Sequence, residues 1–72
     1  MTIFEITSEP IELYKILKSE NLVESGGAAK HVVAEGEVLV NGEVETRKRK
    51  KIISGDVVEY AGHTITVKLV KE

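Results

Sequence analysis

The stretch SGGAAKHVVAEGEVLVNG at residues 25–42 contains a helix start, a helix stop and a tight turn in direct succession. Ser25 is a good N-cap, and the apolar residues that follow recur at helical spacing as far as about Glu35. Gly36 provides the C-terminal stop. Beyond it the apolar period changes to two, and Asn-Gly at residues 41–42 accepts the positive φ angles of a hairpin turn. This stretch therefore predicts a helix followed by a β-hairpin.

On the N-terminal side, the pattern predicts a short strand and a further helix. Residues 2–7 are mostly β-branched or aromatic, which favours a strand. Pro10 suits the first turn of a helix, and apolar residues at helical spacing predict that this helix runs from residue 11 to about residue 20. Because only a short connector at residues 21–24 separates the two helices, we expect them to form a helical hairpin.

On the C-terminal side, alternating apolar residues and turn signals predict an antiparallel meander. Its expected strands lie at residues 43–45, 52–53, 57–60 and 64–70. The order of all these elements predicts an α+β fold, in which a helical hairpin packs on a small antiparallel sheet and a short N-terminal strand precedes them. We expect one domain over residues 1–72.

Length and composition exclude several classes of protein. The chain has 72 residues, and such a chain buries only about 60% of the surface that it exposes when unfolded, which leaves no room for a deep cleft between two lobes. It has no cysteine, so disulfides and cysteine-based metal or redox sites are excluded. Neither a membrane-spanning apolar run nor a signal peptide is recognisable. We therefore expect a cytoplasmic protein without a membrane partner.

The net charge of −2 conceals an uneven distribution of charge. Five consecutive cations form what we call the basic run: Arg47, Lys48, Arg49, Lys50 and Lys51. The run carries +5, while five basic and twelve acidic side chains elsewhere leave −7. Since salt confines the reach of a charge to about 8 to 10 Å, such a local cluster can attract a polyanion.

The position of the basic run between two predicted strands indicates a strand end or a loop held by the sheet. An extended chain would place Arg47, Arg49 and Lys51 on one face, and such a row suits phosphate contacts. A solvated charged loop and a sorting signal remain alternatives, because basic runs are weak motifs.

The predicted second helix supplies a second candidate feature. Four apolar residues form one stripe on this helix: Ala28, Ala29, Val32 and Val33. Lys30 projects close to the opposite face and should point to solvent. The helix begins Ser25-Gly26-Gly27, where free backbone N–H groups and the helix dipole attract anions and the glycines allow close approach. The alternative is that Ser25 only caps the helix and the glycines only permit a tight entry.

The remaining residues predict no catalytic, metal or cofactor site. His31, Glu35 and His63 lack the clear set of three ligands that a metal site needs. No nucleophile stands with a recognisable base and orienting group. Phe4 and Tyr14 are assigned to the core rather than to a platform for stacking bases.

Three pieces of the chain together resemble a known family. They are residues 13–18, residues 25–42 and ETRKRKKIISGDVV at residues 45–58. In this order they resemble a stand-alone S4 domain, the RNA-binding module named after a small-subunit ribosomal protein, and especially its small bacterial YbcJ-like and YaaA-like members. The resemblance implies an αL motif, in which the helical hairpin and the following β-hairpin make an L-shaped surface for structured RNA.

The resemblance also implies which residues contact RNA. By position it implicates Ser25, Gly26, Lys30 and the loop that begins near Arg47. Many members of the family have an arginine directly after the helix-starting serine, where this chain has Gly26. That phosphate contact is therefore missing or replaced, and the basic run is its natural substitute.

Residues and resemblance together predict a monomeric, non-catalytic protein that binds structured RNA, with ribosomal RNA as one candidate. The predicted contacts are Ser25, Gly26, Gly27, Lys30, Arg47, Lys48, Arg49, Lys50 and Lys51. The alternative from another class is a protein-interaction adaptor that docks on a ribosomal or other assembly, and an enzyme is the third hypothesis.

Overall fold

A computed structural model describes residues 2–70. In chain order its elements are β1 (Thr2–Ile6), β2 (Ile11–Glu12), α1 (Leu13–Ser19), α2 (Gly26–Ala34), β3 (Val38–Val40), β4 (Glu43–Val44), β5 (Lys51–Ile52), β6 (Val57–Tyr60) and β7 (His63–Leu69). None of the helices in this described part is long and apolar enough to cross a membrane.

Five strands form the main sheet, in the order β1-β7-β6-β3-β4, and β2 pairs with β5 in a separate ladder. The ladders β3–β4, β3–β6 and β6–β7 are antiparallel, which confirms the predicted small antiparallel sheet with a helical hairpin packed on it. The predicted continuous meander is wrong at residues 52–53, because β5 pairs with β2 outside the main sheet and β6 pairs with β3 instead. The N-terminal strand is also confirmed. Its partner was not anticipated: β1 lies parallel to β7, with Phe4 opposite Val67. Pairing between segments so distant in sequence leaves no local signal.

The predicted start of the first helix is wrong by two residues. Ile11–Glu12 forms strand β2 and pairs antiparallel with Lys51–Ile52, so α1 begins only at Leu13. Pro10 therefore precedes a strand and does not lie in the first helical turn. The ladder overrides the helical spacing because it places Ile11 opposite Ile52, which is completely buried.

Both helices pack on the sheet through one apolar core. Its buried members are Ile6, Leu13, Ile16, Leu17, Ala29, Val33, Val38, Val40, Ile52, Val58, Ile65 and Val67. The predicted stripe of α2 faces this core, since Ala29 and Val33 are buried and Ala28 and Val32 are half-buried. Among residues 2–70 no polar or charged residue is buried. Charged chemistry is thus confined to the surface.

The predicted hairpin turn is confirmed, and its Asn41 side chain also contacts the loop that follows β5. Asn41 and Gly42 have φ angles of 52° and 84°. The Asn41 side chain donates to Asp56 Oδ1 (3.0 Å) and accepts from the Val57 amide (2.9 Å). Asp56 Oδ2 in turn accepts from the Ile53 amide at 2.9 Å. The β3–β4 turn therefore holds the loop that follows the basic run and β5.

Candidate nucleic-acid interface

The basic run adopts a turn rather than an extended strand. Lys50 N donates to Arg47 O at 3.1 Å, which closes a turn over residues 47–50, and only Lys51 belongs to strand β5. A turn does not preserve the two-residue alternation of a strand. The extended conformation from which the row of Arg47, Arg49 and Lys51 was predicted is therefore wrong. The predicted position of the run, in a loop that leads into a strand, is confirmed.

Helix α1 holds this turn by its backbone. The first helical amides would lack partners within the helix, and the Glu12 side chain does not cap them. Instead Leu13 N donates to Lys50 O (3.0 Å) and Tyr14 N donates to Lys48 O (3.1 Å). Both contacts use only main-chain atoms of the basic run. These contacts thus fix the backbone of the run against α1 without using its side chains.

Arg47 differs from the rest of the basic run because a carboxylate engages it. Its Nε and Nη2 donate to the two oxygens of Glu45 at 2.9 and 3.2 Å, and Arg47 N donates to Glu45 Oε2 at 3.0 Å. Hydrogen bonding from the Arg47 side chain lowers the pKa of Glu45, and Glu45 raises the pKa of Arg47. The pair is thus fully ionised at neutral pH. A phosphate must compete with Glu45 for this guanidinium.

Glu12 makes weaker contacts with two other cations. Lys15 Nζ lies 3.3 Å from Glu12 Oε1, and Arg49 Nε lies 4.0 Å from Glu12 Oε2. Exposed pairs of this kind contribute only about 0 to 1 kcal/mol, so they present little resistance to a phosphate. Within residues 2–70, no carboxylate lies within 4 Å of the ammonium groups of Lys30, Lys48, Lys50 and Lys51.

The start of α2 has the predicted geometry. Ser25 is the N-cap, and its Oγ accepts from Ala28 N at 3.1 Å. The first backbone hydrogen bond of the helix runs from Ala29 N to Ser25 O (3.0 Å), so the amides of Gly26 and Gly27 precede it. The capping role proposed as the alternative for Ser25 is therefore present. It leaves the two glycine amides as the donors that an anion could approach.

Tyr14 lies between the basic run and α2, a position that sequence reasoning missed. It is half-buried and packs beside the core as expected, yet Lys30 Nζ stands 4.8 Å from its ring centroid. Lys30 is accordingly half-buried rather than fully solvent-facing. Helical spacing describes one helix at a time. It contains no signal for a contact between α1 and α2.

Comparisons with known proteins agree with this architecture. Residues 4–68 match the model of the S4 domain family. The chain is 48% identical over 68 residues to the putative RNA-binding protein YbcJ of Escherichia coli, covering 93% of this chain and 97% of that protein. It is 46% identical over 57 residues to the probable ribosome maturation protein RlbA of Bacillus subtilis, covering 79% and 80% of the two chains.

A solved structure extends the similarity to three dimensions. The solution structure of YbcJ from E. coli, described as revealing an αL motif involved in RNA binding, superimposes with a TM-score of 0.73. The match covers 94% of this chain and 87% of YbcJ at 48% identity. Both the sequence and the arrangement of two helices on the sheet show that the chain belongs to the S4 domain family.

Proposed function

We propose that this protein binds structured RNA, such as ribosomal RNA, and performs no catalysis. One observation carries the proposal: the amides at the start of α1 hold the backbone of the basic run, so that consecutive cations are displayed on a fixed turn. The relatives support it, because YbcJ is named as a putative RNA-binding protein and RlbA as a probable ribosome maturation protein.

The proposed contacts are electrostatic and combine the turn with the start and one side of α2. They are Ser25, Gly26, Gly27, Lys30, Arg47, Lys48, Arg49, Lys50 and Lys51. Contacts to phosphate position a protein without distinguishing bases, so we expect specificity to come largely from the shape of the RNA. The charge of −7 on the rest of the chain disfavours approach from other directions.

We further propose that the protein acts as a monomer in the cytoplasm. The monomer is supported by the core, which both helices and the sheet complete within one chain. The cytoplasm is supported by the proposed RNA partner.

Salt dependence tests this mechanism directly. If four or five phosphates are neutralised, the logarithm of the association constant should fall against log salt with a slope of about −3 to −5. The measurement is a titration of a folded RNA hairpin, such as a ribosomal RNA fragment, at several salt concentrations. An affinity that does not change with salt would contradict electrostatic binding through the basic run.

The second candidate function is a protein-interaction adaptor. It is favoured by two edge strands of the sheet, β1 and β4, which carry the exposed side chains of Ile3 and Val44. Nuclease treatment separates the two candidates in a pull-down from cell extract. Partners bridged by RNA are lost after digestion, whereas direct protein partners of an adaptor are retained.

Replacing Gly26 by arginine should strengthen RNA binding. A Cβ at Gly26 would meet Tyr14 Cε2 at an ordinary 3.9 Å, so the backbone there accepts a Cβ without a clash. The new cation would stand at the start of α2, where many family members have arginine. We expect the salt slope to steepen by about 0.9, the amount for one added phosphate contact.

Gly26→Ala is the matched control, because it adds the Cβ without the charge. Its affinity should stay close to that of the wild type. Equal slopes for the arginine and alanine variants would show that RNA phosphate does not approach the start of α2.

A further inference from the structure

Tyr14 is in contact with all three parts of the proposed interface. Its backbone N donates to Lys48 O in the basic run at 3.1 Å. Its ring edge faces Gly26, with Cε2 3.9 Å from the position of a Cβ on that glycine. Its ring face lies beneath Lys30 Nζ, 4.8 Å from the centroid. Tyr14 thus joins the turn to α2, through its backbone on one side and its ring on the other.

The contact with Lys30 has the geometry of a cation–π interaction. An ammonium within about 6 Å of an aromatic centroid is attracted by the negative face of the ring. Holding a flexible lysine side chain in one position costs up to about 2 kcal/mol, because rotamer entropy is lost. The ring therefore reduces the range of positions that the Lys30 ammonium samples before any ligand arrives.

The ring restrains the Lys30 ammonium without neutralising its charge. Within residues 2–70 no carboxylate lies within 4 Å of its ammonium, so the ring is the group that restrains it. A lysine held by a ring rather than by a carboxylate keeps its full positive charge for an anion. Arg47 shows the contrast, because Glu45 holds it with two hydrogen bonds between their side chains.

We propose that Tyr14 is a positioning residue for RNA binding, which holds Lys30 beside the basic run so that both contact neighbouring phosphates of one RNA. This inference rests on the proposed function. The ring acts through Lys30 and makes no contact with RNA itself. Phenylalanine preserves the aromatic face and should substitute for Tyr14, whereas leucine fills space without that face and should not.

A double-mutant cycle tests the proposal with the same folded RNA hairpin. In the wild type, Lys30→Gln should weaken binding about three- to tenfold and reduce the salt slope by about 0.9. In a Tyr14→Leu background, Lys30→Gln should change little, because Lys30 is already displaced. Tyr14→Phe, unlike Tyr14→Leu, should keep the salt slope of the wild type. A role of Tyr14 in packing alone would shift the melting temperature but would leave the effect of Lys30→Gln unchanged.

A measurement without RNA tests the geometry separately. Protons above an aromatic ring are shielded, so the ε-methylene protons of Lys30 should resonate upfield in the free protein and return to ordinary positions in Tyr14→Leu. Absence of this shielding overturns the proposal. An equal effect of Lys30→Gln with Tyr14 or Leu at position 14 overturns it too. If the wild type binds RNA without salt dependence, the proposed function itself fails, and the inference fails with it.

Discussion

Replacing Lys48 and Arg49 by glutamate should weaken RNA binding about a hundredfold, roughly 2.7 kcal/mol, with little change in thermal stability. These two residues are the central positions of the turn over residues 47–50, and both are exposed. Their removal eliminates two phosphate contacts, so the salt slope should become shallower by about 1.8. Fluorescence anisotropy with a labelled RNA hairpin measures both quantities.

The fold should tolerate this change because the turn is held by main-chain atoms. Substituting Lys48 leaves its carbonyl in place to accept from Tyr14 N. Arg49 makes a 4.0 Å contact with Glu12, and such a surface ion pair contributes little to the free energy of unfolding. Arg47 is the poorer choice for charge reversal, because a glutamate there would replace the ion pair with Glu45 by repulsion.

The matched control is the double replacement of Lys18 and Lys68 by glutamate. Both lysines are exposed and lie outside the proposed interface, on α1 and β7. Either pair of substitutions shifts the formal net charge from −2 to −6. If the control loses as much affinity as the Lys48 and Arg49 variant, the total charge governs binding and the basic run has no special role.

Ile52→Ala should destabilise the domain by about 2 to 5 kcal/mol, the range for large-to-small changes in a core. Ile52 is completely buried and pairs with Ile11 in the ladder between β2 and β5. A small domain has a total stability of only about 5 to 15 kcal/mol, so the loss is a substantial fraction of it. The melting temperature should fall by at least about 8 °C, since 1 kcal/mol corresponds to about 4 to 8 °C at this size.

Its neighbour provides the control. Ile53 has the same side chain but is 47% exposed. Ile53→Ala should therefore change the free energy of unfolding by less than about 1 kcal/mol. Thermal melts followed by circular dichroism distinguish the two variants. Similar melting temperatures would mean that the β2–β5 ladder is not part of the cooperative core.

The sequence predicted correctly those helix ends and turns that neighbouring residues alone determine. Ser25 caps α2, and Asn41 and Gly42 turn the chain, because each acts through its own backbone preference. The start of α1 was mispredicted because Ile11 pairs with a segment far along the chain. Periodicity detects apolar faces but not the partner that covers them.

In the candidate site too, some features are visible in the sequence and others arise only in the folded chain. The identity of the cations in the basic run is visible in the sequence, and so is the cap at Ser25. The turn at residues 47–50 was not predictable, because it depends on amides that α1 contributes. The pairing of Arg47 with Glu45 and the contact of Lys30 with Tyr14 depend on side-chain placement in the folded chain.

The parallel pairing of β1 with β7 bears on how the chain folds as it is synthesised. Among the described elements β1 is synthesised first, whereas β7, the strand beside it, is synthesised last. At about 5 to 20 residues per second, β1 waits for several seconds without its partner. Closing so long a loop carries an entropic cost that local hairpins do not have. A nascent chain that stops before β7 can form the Asn41 hairpin, but it cannot complete the sheet on which both helices pack.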